Sequence, residues 1–193
     1  MSRKLPRSFY DRPTLEVARN LLGSFITFRT KQTSLSARIV EVEAYIGQDD
    51  PACHAARGLT KRNQVMFDQP GFSYIYFIYG MYHCFNIVTE REGFPAAVLL
   101  RAAEPIDGIE SMRKRSPKGK VEQILSGPGK FCRSFGLTQD HSGMDLTGNT
   151  LYLTSGKGKP GRIVTTTRIG IKTGTELSYR FYLAESEAVS GTK

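Results

Sequence analysis

Glu41 and Glu43 stand two residues apart in the stretch ARIVEVEAY (37–45). On a strand this spacing puts both carboxylates on one face, with Cβ atoms roughly 7 Å apart. That separation suits the acid/base pair of glycoside chemistry, although the same pairing is common on exposed strands. Arg101 closes the apolar run AAVLLR (96–101), and a buried guanidinium needs an anionic partner, either carboxylate or phosphate. Lys130 follows SGPG (126–129) at an expected helix start, where backbone N–H groups can also hold a phosphate. The P-loop pattern GxxxxGK[ST] is absent and Phe131 stands where Ser or Thr would bind magnesium, so nucleotide hydrolysis is discounted.

Metal and thiol chemistry find little support. Cys53-His54 and His83-Cys84 are adjacent pairs, and neighbours on a strand point to opposite faces. No CxxC or HxxxH spacing is present, and three widely separated cysteines argue against a disulfide framework. We expect no metal and no cofactor.

The segment FSYIYFIYGMYHCFNIV (72–88) holds seven aromatics and is interrupted at Tyr79-Gly80-Met81, which reads as a hairpin turn. A tyrosine at that tip either folds back onto its own strands or protrudes, and a protruding aromatic can wedge between base pairs. The charge makes a nucleic acid the expected partner. Lys and Arg number 27 against 18 Asp and Glu, a net charge of +9 over 193 residues, and such an excess attracts polyanions. The excess gathers in runs. Residues 1–31 carry seven basic and two acidic side chains, residues 113–133 seven and one, and residues 157–180 six and one. Against this background Glu41, Glu43, Asp49 and Asp50 form an acidic island, which calls either for chemistry or for a loop turned away from the ligand. No apolar run approaches the ~20 residues that span a bilayer, and the N-terminus lacks the apolar core of a secretory signal. A cytoplasmic, nucleoid-associated protein without membrane contact is expected.

The elements that must position these groups are mainly strands: 24–30, 37–45, the two arms of 72–88, 96–105, 150–154, 162–169 and 180–183. Helical spacing falls at 14–22, where Asp11 or Thr14 could cap with Pro13 in the first turn. It recurs at 106–115, through Ile106, Ile109 and Met112, and after SGPGK, where FCRSF is closed by Gly136. The reading is a single α+β domain over 1–193, with a curved, mainly antiparallel sheet, flanking helices and a protruding hairpin. The ordered core is expected over about 5–185, followed by a short C-terminal tail.

Taken in order, RIVEVEAYIGQDDPACHAARGLTKRNQVMF (38–67), GFSYIYFIYGMYHCFNIV (71–88), VLLRAAEP (98–105), the SGPGK loop and RIGI (168–171) closely resemble the alkyladenine (3-methyladenine) DNA glycosylase family, across nearly the whole chain. The resemblance implies a monomeric, monofunctional repair hydrolase that flips alkylated or deaminated purines out of duplex DNA. It would cut the N-glycosidic bond and leave an abasic site, without metal and without a Schiff base. It implies Glu43 as the base that activates water, with Arg101 and the main-chain carbonyl of Ile169 holding that water. Tyr45, His54 and Tyr76 would wall the lesion pocket, Asn86 would screen normal purines at its floor, and Tyr79 with Met81 would fill the vacated stack. Arg101, Arg113, Arg115 and Lys130 would meet phosphates. The chain departs from the family pattern at Cys53, Ala56 and Thr167, and lacks a tryptophan in 173–179. Two rival readings share the basic face: a non-catalytic module for bent or damaged DNA, and an RNA binder that stacks bases on the 72–85 aromatics.

Overall fold

The computed structural model describes residues 3–191. Its eight strands are β1 Phe25–Arg29, β2 Ser34–Ile46, β3 Ser73–Ile78, β4 Tyr82–Val88, β5 Ala96–Asp107, β6 Leu151–Thr154, β7 Ile163–Thr166 and β8 Arg180–Leu183. They join antiparallel in one curled sheet of order β3-β4-β5-β2-β1-β6, with β8 added to β2 and β7 to β8. Four helices flank it: α1 Arg7–Tyr10, α2 Thr14–Leu21, α3 Ile109–Arg115 and α4 Pro128–Phe135. Among the described residues no helix is long and apolar enough to cross a membrane.

The long strand β2 organises the molecule. One edge pairs with β5, and the other is divided between β1 along 34–38 and β8 along 41–43. Its register against β5 shifts on both sides of Glu41, a bulge that re-aims side chains where the partner strand changes. Helix α2 covers β2, and α4 covers β4 and β5. Ile39, Val40 and Val42 are sealed on both faces, so the strand does not alternate between core and solvent as its sequence suggests. The main core joins Val17 and Leu21 of α2, Ile26 of β1, Phe85 of β4, and Phe131 and Phe135 of α4.

Three local expectations are corrected. Helix α2 starts after Pro13, not around it, and neither Asp11 nor Thr14 caps it with its own side chain. The cap comes from Glu90, whose Oε1 accepts from the Thr14 N–H at 2.7 Å and its hydroxyl at 2.8 Å, a contact of the kind that stabilises by about 1 kcal/mol. Residue 106 is not helical. Strand β5 runs on to Asp107, opposite Ser36, through a register shift after the Ala37–Pro105 pair, and leaves Ile106 46% exposed. Gly108 then turns the chain at φ 75° against the β2 backbone, where a Cβ would lie 2.6 Å from the Ser34 carbonyl oxygen. The third correction concerns the C-terminus. Packing continues past 185, with Ser186, Ala188, Val189 and Ser190 all buried, so these residues belong to the core and not to a tail.

The β3–β4 hairpin projects as expected. Tyr79 and Gly80 both take positive φ, 54° and 65°, and the Met81 N–H donates to the Ile78 carbonyl at 3.3 Å, as in the primed turns that match strand twist.

Candidate active site

Strand β2 carries Glu43 to the centre of the sheet, where it is fully buried. A buried carboxylate persists only with partners, and three converge on it. Its Oε1 accepts from the Ile169 N–H at 2.7 Å and pairs with Nη1 of Arg101 at 3.2 Å. Its Oε2 accepts from the Tyr45 hydroxyl at 2.8 Å. Burial, then the charge of Glu43 and the hydrogen bond to it, push the Tyr45 phenol far above its ordinary pKa, so Tyr45 stays a donor. A carboxylate has about four lone-pair positions, so these three contacts leave one acceptor position on Oε2.

Glu41 does not share this environment. Its Oε1 accepts from Nε of Arg101 at 3.0 Å and Nε of Arg180 at 2.7 Å, and its Oε2 accepts from the Ser190 N–H at 2.6 Å. The two glutamates are not an acid/base pair facing one cleft. Glu41 is the counter-ion behind the wall, and Glu43 touches the residues that line it. With Asp50 bound to Arg168 at 2.5 and 2.8 Å, three members of the acidic island are buried ion partners and only Asp49 is exposed.

In front of Glu43 opens a cleft of about 350 Å³ lined by Tyr45, His54, Tyr74, Tyr76, Asn86, Arg101 and Ile169, with Tyr79 and Pro128 also bordering it. The His54 ring lies 4.4 Å from that of Tyr76 at 73° while one edge of His54 stays open to solvent. Desolvation, then the charge of Arg62, push its pKa down to about 4, so the imidazole is neutral at physiological pH. Its Nδ1 is 2.9 Å from the Tyr74 hydroxyl, a phenol that burial pushes up to about 12. With Tyr74 donating to Nδ1, Nε2 carries the ring N–H. Asn86 is 4% exposed and its Nδ2 donates to the carbonyls of Tyr74 at 3.0 Å and Cys84 at 3.2 Å, leaving Oδ1 as the polar atom free for the floor. Cys53, Cys84 and Cys132 are buried free thiols, all pushed above the ordinary thiol range by burial. Among the described residues no three His, Cys, Asp or Glu side chains gather as a metal-ligand set.

Residues 8–187 match the model of the methylpurine-DNA glycosylase family. The chain belongs to that family. It is 50% identical over 191 residues to a protein of Methanocella arvoryzae, covering 96% of this chain and 95% of the relative. A protein of Alkaliphilus oremlandii is 45% identical over 199 residues, with 97% and 98% covered. A Wolbachia protein from Brugia malayi is 50% identical over 177 residues, with 92% and 95% covered. All three bear the name "Putative 3-methyladenine DNA glycosylase". This is a family of DNA repair glycosylases, and DNA is the substrate polymer.

For a methylpurine-DNA glycosylase the remaining expected residues fall as follows. Tyr79 is 74% exposed and Met81 61%, so the tyrosine stands off its hairpin at the mouth of the cleft. Lys130 is exposed on the first turn of α4, two residues from Pro128 at the cleft. Arg113 is half-buried on α3. Arg115 is exposed, but its Nη1 is occupied by the Ser134 carbonyl at 3.1 Å, near the C-terminal end of α4. Arg101 is 8% exposed and its guanidinium serves Glu41, Glu43 and Ser190. Ile169 lines the cleft and its N–H donates to Glu43. Sequence reasoning passed over Tyr74, Arg168, Arg180 and Ser190. Arg168 lies within the basic run 157–180, yet its side chain is fully buried. Besides Asp50 it donates to the Ala44 carbonyl at 3.0 Å and stacks 4.7 Å from the Tyr45 ring, bracing the pocket tyrosine from outside. The surplus of carboxylates over 41–50 was the available signal, because each buried one requires a cation.

Lys130→Ala should lower the slope of log affinity against log salt by roughly one unit and weaken lesion and undamaged duplexes alike. An unchanged slope in a salt titration would remove Lys130 from the DNA contacts.

Proposed function

We propose that this glycosylase flips an alkylated or deaminated purine into the aromatic cleft and hydrolyses its N-glycosidic bond by a direct water attack, acting as a monomer and without lyase chemistry. The observation that carries the reading is Glu43: a buried carboxylate fixed by Tyr45, Arg101 and the Ile169 N–H, all three from residues that line the cleft.

The base enters between aromatic rings that stack well with a cationic or electron-poor purine. His54 offers its Nε2–H to the base edge. Oδ1 of Asn86, held in place by its two carbonyl partners, occupies the floor and penalises a purine that is bulkier there, as guanine is with its 2-amino group. As the C1′–N9 bond breaks, its electron pair leaves with the base. The sugar becomes oxocarbenium-like and water bonds to C1′, while Glu43 stabilises the developing charge and takes the water proton. A 3-methylated adenine starts cationic and departs neutral, so no strong acid is needed. A Schiff-base route requires an amine, and none of the cleft-lining residues is a lysine. The test is a duplex bearing one hypoxanthine or 3-methyladenine, incubated with the protein and then heated in alkali. Strand cleavage only after alkali supports the reading. Cleavage before alkali would show lyase chemistry, and none in either arm would favour a non-catalytic DNA-binding module.

The exposed tip makes a separate prediction. Tyr79→Ala should leave stability within about 0.5 kcal/mol of wild type, as for other exposed positions. Excision from duplex should fall by roughly 10-fold, because a wedge contributes stacking worth about 1–3 kcal/mol. Excision from single-stranded DNA, where no stack needs filling, should hold. A lower melting temperature with an unaltered duplex-to-single-strand rate ratio would make the tyrosine architectural.

A further inference from the structure

Ser190 is 5% exposed and spends every backbone and side-chain polar group on the charge cluster behind the cleft. Its N–H donates to Oε2 of Glu41 at 2.6 Å. Its Oγ accepts from Nε and Nη2 of Arg101 at 3.3 and 3.1 Å. Its carbonyl accepts from Nη2 of Arg180 at 2.9 Å. The neighbouring chain is fixed as well: Ala188 and Val189 are buried, and Ser126 Oγ donates to the Val189 carbonyl at 3.4 Å.

The consequence lies in Arg101. Its Nε is shared by Glu41 and Ser190, its Nη1 faces Glu43, and its Nη2 has Ser190 Oγ as its hydrogen-bond acceptor among the described residues. A guanidinium is a rigid planar fork, so fixing two of its nitrogens fixes the direction of the third. We infer that Ser190 is a positioning residue for Glu43, acting through Arg101: its hydroxyl holds the guanidinium in the orientation that aims Nη1 at the catalytic carboxylate.

This inference rests on Glu43 being the base. The charged and titratable groups around Glu43 are Arg101 from β5, Glu41 and Tyr45 from β2, Arg180 from β8, Arg168 beside Ile169, and Cys84 from β4. Ser190 touches three of them: Arg101 through its hydroxyl, Arg180 through its carbonyl and Glu41 through its N–H.

The experiment is single-turnover excision of hypoxanthine from duplex DNA, with lesion affinity and melting temperature, for wild type, Ser190→Ala, Ser190→Thr and Glu43→Gln. Ser190→Ala keeps both backbone contacts and removes only the hydroxyl. It should cost about 10-fold in rate, as expected for one hydrogen bond to a charged group, with lesion affinity unchanged. Ser190→Thr, which returns the hydroxyl, should restore the rate. A wild-type rate per folded molecule for Ser190→Ala, or a loss that Ser190→Thr does not rescue, with Glu43→Gln inactive, would overturn the inference and leave the base assignment standing. An active Glu43→Gln would overturn both.

Discussion

Glu43→Gln should lose about 10²-fold or more of its single-turnover excision rate, the usual worth of a positioned acid/base group, while the protein folds and still binds a lesion duplex. The site tolerates the amide. Its oxygen can accept from the Ile169 N–H and face Arg101, as Oε1 does now, and its NH2 then falls at the Tyr45 hydroxyl, which can turn to accept. What is lost is the capacity to take a proton from water and to stabilise a cationic sugar. Affinity should hold or rise, because a negative charge near the phosphates is gone. Near-normal excision by this variant would refute the role.

Glu41→Gln, two residues earlier on the same strand, should do the opposite: its main effect is on stability. Oε1 of Glu41 accepts from two guanidinium groups and Oε2 accepts from the Ser190 N–H, so all its partners are donors. Either orientation of an amide sets its NH2 against one of them, and the lost charge leaves Arg101 and Arg180 with Glu43 as the carboxylate of the cluster. Removing one member of a buried ion network costs about 3–5 kcal/mol. At about 2–4 °C per kcal/mol for a chain of this length, the melting temperature should fall by on the order of 10 °C. A melting temperature within experimental error of wild type would show that Glu41 is not the keystone of the cluster.

The contrast between these two residues marks what the sequence could reveal. Both glutamates sit at the same spacing on one predicted strand, and the strand was legible from its apolar alternation. Their different roles depend on partners that arrive from Arg180 and Ser190, 139 and 149 residues further along the chain, and no local pattern encodes that meeting. The aromatic hairpin and its protruding tip could be read because turn chemistry and β propensity are local. The helical reading of 106–115 began too early because pairing with β2 carries β5 on to Asp107. The residues after 185 looked like a tail because Glu, Ser and Gly there carry no periodic signal, and their burial rests on ion partners elsewhere in the fold. Burial of Arg168 within the basic run 157–180 is hidden for the same reason: a basic side chain looks alike in sequence whether it faces water or Asp50.

The divided edge of β2 also bears on how the protein is made. Strand β8 lies against residues 41–43, and a ribosome releases the first half of β2 long before it has synthesised that neighbour. Until Arg180 and Ser190 emerge, Glu41 has at most one of its two guanidinium partners and lacks its backbone donor. The ion cluster behind the cleft therefore closes only after residues 180–190 have emerged, long after β2 and β5. Before β8 is made, the sheet is open along residues 41–43 of β2, the stretch that holds both glutamates.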